Sequence, residues 1–293
     1  MTKLQSEVGG FAPGVYLGIP NDTYHADVAV SSTGIKRLLK STYKYWWYTP
    51  MNPKRPEDEE TKATKFGHAY HTLILEPEKF DYKILYGQKG TSKEGCLGEE
   101  EYNDLLAMKA QIESVPEHAY AVKNGYPEVS VFWVDEETGV MCRCRFDYWK
   151  PGYVTDLKSD RDISDGAVFY SFGNNGYDVS GAMYSEGTRM LRKMMREGSC
   201  HIDPRISPEF IQKFLAEENE RFGFLYHEKD APFETRYRIL SPELAEIGLH
   251  KFRRGLEIYV NAENKWGKSR WGSSYPPVEP ITIDQVSSSI NYR

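Results

Sequence analysis

Three segments between Glu128 and Lys158 have the alternating pattern of consecutive β-strands. They are rich in valine, aromatic residues and cysteine, and they comprise residues 128–134, 140–148 and 153–158. A polar turn, Asp135–Gly139, separates the first two. Strands joined by short turns pair in antiparallel order. The sequence therefore predicts a meander of three strands.

Helical periodicity lies on both sides of this meander, where apolar residues recur every three or four positions. Two more strand-like runs follow before the last helix. The predicted helices cover residues 63–75, 105–115, 178–197 and 241–261, and the predicted strands cover 222–228 and 233–240. This order predicts an α/β fold in which a central mixed β-sheet is flanked by helices.

The N-terminal part predicts one further helix, with Ser31, Ser32 and Thr33 as candidates for its N-cap. That helix is expected to stop before the aromatic run 43–48, which is interpreted as a packing anchor rather than a base-stacking surface. From Trp271 onward, a Ser- and Pro-rich sequence predicts an extended tail.

We expect one domain over residues 1–293. Its predicted parts are a helical segment of about 14–62, a core of about 63–240, and a helix with its tail over about 241–293.

The net charge of −6 argues against a surface coated in positive charge, but it does not exclude an enzyme that meets nucleic acid in a local cleft. Acidic runs at 57–60 and 99–101 supply much of the negative charge. Basic residues concentrate at 36–40, 189–193 and 251–254, and each of these segments is interpreted as a solvated helix face.

No apolar run approaches the roughly 18 to 20 residues of a membrane helix, and residues 1–7 lack the apolar core of a signal peptide. We therefore expect a cytoplasmic protein without membrane contact. The 4 cysteines form no CxxC pattern, and they are interpreted as small core residues rather than as metal ligands.

Two carboxylates and a lysine converge on the meander. Asp156 and Lys158 leave the same face of one strand, and Asp147 meets them from its neighbour. A hard cation such as Mg²⁺ prefers carboxylate oxygens, and a lysine beside it can orient an attacking water. This arrangement suits phosphodiester chemistry, although an Asp-x-Lys pattern by itself is usually only a solvated strand edge.

Two further groups of side chains are expected near these acids. Arg143 and Arg145 share the strand face of Asp147 and make it cationic, which suits a phosphate. On the following helix, Tyr177, Ser180 and Tyr184 recur at helical spacing and form a stripe. A core stripe is the alternative interpretation.

Together, several short motifs resemble the exodeoxyribonuclease VIII (RecE-type) family of the PD-(D/E)XK nuclease superfamily. The resemblance covers roughly residues 14–280. Its motifs are Tyr24-His25 with Ser31-Ser32-Thr33-Gly34, Phe66-Gly67-His68-Ala69-Tyr70-His71-Thr72-Leu73, Cys142 to Trp149, Thr155-Asp156-Leu157-Lys158-Ser159, and Tyr177 to Tyr184. The resemblance implies a PD-(D/E)XK nuclease-like core.

The same resemblance implies roles for single residues. Asp147 matches the first motif aspartate, Asp156 and Lys158 match the (D/E)XK pair, and His71 matches a helix histidine that completes a metal shell. The implied metal ligands are His71, Asp147, Asp156, the Leu157 backbone carbonyl and Glu128, which helps to hold a second metal or the DNA end. The implied cofactor is Mg²⁺, with Mn²⁺ as a substitute.

Two positions depart from the family pattern. Ser180 stands where the family has the glutamine of a Gln-x-x-x-Tyr motif ending at Tyr184, and serine cannot offer the same bidentate amide. Phe146 stands where proline usually precedes the motif aspartate, which affects only strand geometry. The acid and lysine positions are intact, so an active enzyme is expected.

The implied function is Mg²⁺-dependent digestion of linear double-stranded DNA from its ends, 5′ to 3′. The 3′ single strands would pass to a RecT-type annealing partner in recombination. A ring-shaped homo-oligomer is also implied, and phage or prophage proteins are the typical context. The alternatives are an endonuclease or structure-specific nuclease of the same fold, and a catalytically weak DNA-binding scaffold. A metallohydrolase for another substrate is disfavoured because His68 and His71 lack a zinc-protease arrangement.

Overall fold

The centre of the molecule is a seven-stranded β-sheet in a computed structural model that describes residues 10–56, 61–87, 95–218, 220–267 and 269–275. Its strands are β1 (Gly14–Tyr16), β4 (Tyr126–Val134), β5 (Met141–Lys150), β6 (Tyr153–Asp160), β7 (His201–Ile202), β8 (Arg221–Glu228) and β9 (Thr235–Ile239). Two short strands, β2 (Lys83–Leu85) and β3 (Cys96–Gly98), pair separately. The acidic run 57–60 and the tail beyond residue 275 lie outside the described residues.

The predicted meander is confirmed, because β4 pairs with β5 and β5 with β6 in antiparallel order. The sheet continues from β6 to β8 in parallel and from β8 to β9 in antiparallel order, so its strand order is β7-β1-β4-β5-β6-β8-β9. The sheet is therefore mixed, as predicted.

Helices cover both faces of the sheet. They are α1 (Asn21–Ala26), α2 (Ser32–Lys40), α3 (Thr42–Trp47), α4 (Lys62–Leu75), α5 (Glu99–Ser114), α6 (Pro116–Ala121), α7 (Asp165–Asn175), α8 (Tyr177–Glu197), α9 (Pro208–Ala216) and α10 (Pro242–Trp266). The larger core cluster lies between the sheet and the layer formed by α2, α8, α9 and α10. A smaller cluster lies under α4 and α5 on the opposite face.

Alternation along the strands explains these two layers. Cys142, Cys144 and Phe146 face the larger cluster, as predicted for that side of β5. Leu157 and Leu225, on β6 and β8, face the α4–α5 layer instead. Both faces of the central strands are thus covered, and burying their apolar side chains stabilises the fold.

The structure corrects three local predictions. Helix α2 ends at Lys40, before the aromatic run 43–48, as predicted, but most of the run is itself helical, because the Ser41 side chain caps a new helix, α3. Helix α7 was not predicted, since its sequence has only one buried residue, Val168. Trp271 is buried against Tyr45 rather than starting an extended tail.

Among the described residues, no helix combines the length and apolarity needed to cross a membrane. Cys142 and Cys144 are buried as predicted, whereas Cys96 and Cys200 are only half-buried.

Candidate active site

An opening between β5 and β6 places the predicted acids together. The pairing of these strands runs from Lys150↔Tyr153 to Tyr148↔Thr155, and Asp147 and Asp156 lie directly beyond the last pair. Asp147 Oδ2 accepts a hydrogen bond of 2.7 Å from the Leu157 N–H. The Asp147 carboxylate therefore accepts the N–H of β6 where a backbone carbonyl of β5 would otherwise do so, and the two strands separate at this point.

The regular alternation of β5 breaks at Asp147. Phe146 packs in the larger core cluster while Tyr148 packs in the smaller one, so the two do not share a face as regular alternation requires. On β4, Glu128 lies opposite Asp147, and its φ of 48° is in the left-handed region. A non-glycine residue there costs of order 1–3 kcal/mol, and such strain concentrates at functional sites. Both carboxylates lie at this irregularity.

His71 joins these two carboxylates from helix α4. Its Nδ1 lies 3.8 Å from Glu128 Oε1 and 3.8 Å from Asp147 Oδ2. Ligand atoms of all three side chains lie within 4.8 Å of one another. We call these three side chains the acid–imidazole cluster. Two ligands of one Mg²⁺ lie at most about 4.2 Å apart, so the histidine distances already suit a shared ion.

The acid–imidazole cluster carries negative charge that the protein compensates poorly. Burial, followed by the nearby Asp156, raises the pKa of Asp147 to about 7. Burial alone would lower the pKa of His71, but Asp147 and Glu128 outweigh it and raise that pKa. A cation between these groups would relieve both effects. The oxygen ligands suit Mg²⁺, and the imidazole is better tolerated by Mn²⁺.

The Asp156 carboxylate contacts a lysine rather than the acid–imidazole cluster. It forms an ion pair with Lys158, and Lys158 Nζ donates to the Leu157 carbonyl at 3.3 Å. Burial would lower the pKa of Lys158, but Asp156 and Asp147 raise it above its ordinary value. The structure thus assembles only part of the five-ligand shell implied for a metal. Asp156 and the Leu157 carbonyl are engaged by Lys158 instead of the acid–imidazole cluster.

Lys36 reaches the site from helix α2 and was missed in the sequence. Its Nζ donates a 2.7 Å hydrogen bond to Ser180 Oγ, and it lies 5.7 Å from the centre of the Tyr177 ring. Lys158 Nζ lies 5.1 Å from the centre of the same ring. The basic segment 36–40 was the only signal, and it was interpreted as a solvated helix face. We call Lys36, Asp156, Lys158, Tyr177 and Ser180 the lysine cluster.

Tyr184 also lies at the opening. Its ring packs edge-on against Phe146 and Phe222. Burial, followed by the charges of Asp156 and Asp147, raises the pKa of its hydroxyl well above the ordinary value. The predicted stripe on α8 therefore reaches the acids, while its rings also pack in the core.

The two predicted substrate-binding arginines are held by the protein itself. Arg143 is 6% exposed and its guanidinium lies 4.4 Å from the centre of the Tyr24 ring. Arg145 lies 4.0 Å from that ring centre and donates hydrogen bonds to Ser130, Asn21 and Ile19. The burial of Arg143 leaves little of its side chain accessible for a direct substrate contact. Both arginines instead connect α1 to the sheet through Tyr24, and Arg145 also through Asn21.

Comparison with known proteins identifies relatives at the level of family and fold. The model of a family described as "PDDEXK-like domain of unknown function (DUF3799)" matches residues 31–202, which include the acid–imidazole cluster and the lysine cluster. No curated protein matches.

The crystal structure of a "putative exonuclease" from Eubacterium rectale is similar to this chain, with a TM-score of 0.55 and 17% identity. The alignment covers 94% of this chain and 100% of that one. At this identity the likeness establishes a shared fold, and it confirms the predicted α/β class.

Proposed function

This chain belongs to the family of PDDEXK-like domains of unknown function, and we propose that it is a metal-dependent nuclease that hydrolyses DNA. One observation carries the proposal: His71, Glu128 and Asp147 gather where β5 and β6 part, beside the Asp156–Lys158 pair. Carboxylates grouped with a histidine next to a lysine suit phosphodiester hydrolysis by a divalent ion.

In this proposal the acid–imidazole cluster holds Mg²⁺ or Mn²⁺. The bound ion supplies charge neutralisation at the phosphate and lowers the pKa of a water. Lys158, paired with Asp156, is an ammonium without a free lone pair, so it orients the water or a phosphate oxygen and does not accept a proton. Asp147 keeps its orientation through the hydrogen bond from the Leu157 N–H.

The reaction is an in-line hydrolysis. The water oxygen bonds to phosphorus, one ester P–O bond breaks, and the departing oxygen takes up a proton as the attacking water releases one. Tyr184 and Tyr177, both on α8, line one side of the opening. Their rings exclude solvent from that side of the reacting phosphate.

The finer part of the proposal rests on the resemblance to the RecE-type family. It is digestion of linear duplex from its ends, 5′ to 3′, in the cytoplasm, with the 3′ strands passing to a RecT-type annealing partner. A ring of subunits would pool modest basic patches, which suits a chain of net charge −6.

The decisive experiment is digestion of linear duplexes labelled at the 5′ or the 3′ end, with closed circular duplex alongside, in Mg²⁺. Label released first from 5′ ends, with the circle intact, supports the proposed exonuclease. Cleavage of the circle would instead indicate an endonuclease on this fold. Duplex binding without digestion in Mg²⁺ or Mn²⁺ would identify a scaffold and overturn the proposed enzyme.

A further inference from the structure

The lysine cluster contains an ammonium group, that of Lys36, that forms no ion pair with a carboxylate among the described residues, although Asp156 and Asp178 lie close enough to favour its charge. Asp156 is paired with Lys158, and the nearby Asp178 is paired with Lys251 from α10. Lys36 makes its hydrogen bond to a neutral group, the Ser180 hydroxyl, at 2.7 Å. One ammonium group therefore remains available to an anion from outside the protein.

The backbone is shaped to bring this ammonium to the opening. Gly176, with a φ of 59°, ends α7 and caps the start of α8, and the stem of Lys36 crosses it. A Cβ at Gly176 would lie 3.4 Å from Cδ and Cε of Lys36. Glycine adopts this left-handed conformation without strain, and the Lys36 stem lies at van der Waals distance over the turn. The ammonium then meets Ser180 beside the ring that Lys158 also approaches.

A buried hydroxyl nearby provides a second, independent observation. Tyr226 is 2% exposed, and its hydroxyl has no hydrogen-bond partner in the described part of the chain. Tyr226 is the register partner of Lys158 on the adjacent strand β8. Burial raises the pKa of its hydroxyl, and the next largest influences on that pKa are Tyr177 and Lys158. A buried hydroxyl of this kind normally binds a partner, and a ligand oxygen would satisfy it.

We propose that Lys36 binds a phosphate group of the substrate strand, next to the phosphate that Lys158 contacts. This inference rests on the proposed nuclease function. Phosphate is the anion that fits, because the Lys36 ammonium and the Ser180 hydroxyl can both donate to its oxygens, while the Tyr226 hydroxyl lies beside Lys158 and can donate to the neighbouring phosphate. Burial lowers the pKa of Lys36 to about 8, and a bound anion would favour its charged form.

Three variants test this role: Lys36→Met, Lys36→Arg, and the matched control Lys40→Met on the exposed side of the same helix. Duplex binding is measured in Ca²⁺ by fluorescence anisotropy, kcat and KM are measured in Mg²⁺, and Mn²⁺ binding without DNA is measured by calorimetry. Lys36→Met should weaken duplex binding roughly 10- to 100-fold, as expected for one charge-assisted hydrogen bond. Lys36→Arg should restore most of it, and Lys40→Met should match the wild type.

Metal binding separates a substrate contact from a structural role. Lys36→Met should leave Mn²⁺ affinity unchanged, because Lys36 is not part of the acid–imidazole cluster. Equal duplex binding by Lys36→Met and Lys40→Met would overturn the inference, and so would a joint loss of Mn²⁺ and duplex binding in Lys36→Met.

Inorganic phosphate distinguishes a strand phosphate from a free one. It should displace duplex from the wild type more readily than from Lys36→Met. If Lys36→Met loses phosphate binding but binds duplex as tightly as the wild type, the site binds free phosphate. The proposed contact between Lys36 and the DNA strand would then be overturned. If the wild type neither binds nor digests duplex, the proposed function itself fails. If the wild type is active and Lys36→Met binds duplex as tightly as the wild type, only the role of Lys36 fails.

Discussion

The two sides of the opening between β5 and β6 differ in how their charges are balanced. On the α4 side, Glu128 and Asp147 both lie beside His71, and burial raises the pKa of Asp147 to about 7. On the α2–α8 side, Asp156 already has Lys158, and Lys36 supplies further positive charge. This difference suits the division of labour that we propose, with a cation on one side and the DNA strand on the other.

The largest expected effect is that of Asp147→Asn. The amide keeps an oxygen for the Leu157 N–H but removes the charge, so we expect activity to fall roughly 1,000-fold, as when a principal electrostatic group is lost. Calorimetric Mn²⁺ affinity should fall with it. Retained Mn²⁺ affinity in this variant would mean that the acid–imidazole cluster is not the metal site.

Lys158→Met should lower kcat by roughly 100-fold while leaving Mn²⁺ affinity at least as high as in the wild type. The reason is that the carboxylate of Asp156 loses its cationic partner, so its negative charge is no longer compensated beside the metal site. Single-turnover digestion and calorimetry provide the two measurements. Lys158→Arg is the control that keeps the charge, and a parallel loss of metal binding would contradict the separation of the two sides.

The stability of the metal-free protein should decline between about pH 4 and pH 7. The pKa of Asp147 is raised from 3.8 to about 7, so the folded protein holds its proton more tightly than the unfolded chain. This contribution is present below pH 3.8 and is lost as the pH rises through 7. We expect the free energy of unfolding to fall by about 2 kcal/mol over this range, because structural relaxation and water entry reduce the cost of the buried charge.

Urea unfolding at several pH values in EDTA measures this slope. Asp147→Asn should flatten it, and Mg²⁺ at neutral pH should restore stability in the wild type but not in the variant. An identical slope in both proteins would assign the pH dependence to other groups.

Ser180→Ala is expected to have the smallest effect, a loss of roughly 2- to 10-fold in duplex affinity, because one neutral hydrogen bond to Lys36 is removed while its charge remains. KM should change more than kcat. An effect as large as that of Lys36→Met would show that the hydroxyl, rather than the ammonium, makes the main contact.

The helices and strands that position the site were largely predictable. Period-2 alternation located β4, β5 and β6, and helical spacing located α4 and α8, because burial on one face leaves a local imprint in the sequence. The aromatic run and α7 were not predictable in this way. A tryptophan-rich helix and a mostly exposed one both lack the usual one-sided apolar pattern.

The candidate site was predictable in composition but not in its grouping. Alternation placed Asp147 with Arg143 and Arg145, yet Tyr24 covers both arginines, and β4 and β5 are irregular where Glu128 and Asp147 approach His71. An irregularity of this kind depends on two strands at once, so a single segment does not reveal it.

The sequence by itself determined which residue types are present for hydrolysis and which strands and helices carry them. Only the tertiary structure decided that Asp156 stands apart with Lys158, and that Lys36 meets Ser180 across 144 positions of chain. The physical reason is range: backbone pairing and burial follow from neighbouring residues, whereas contacts between distant side chains depend on how whole helices pack on the sheet.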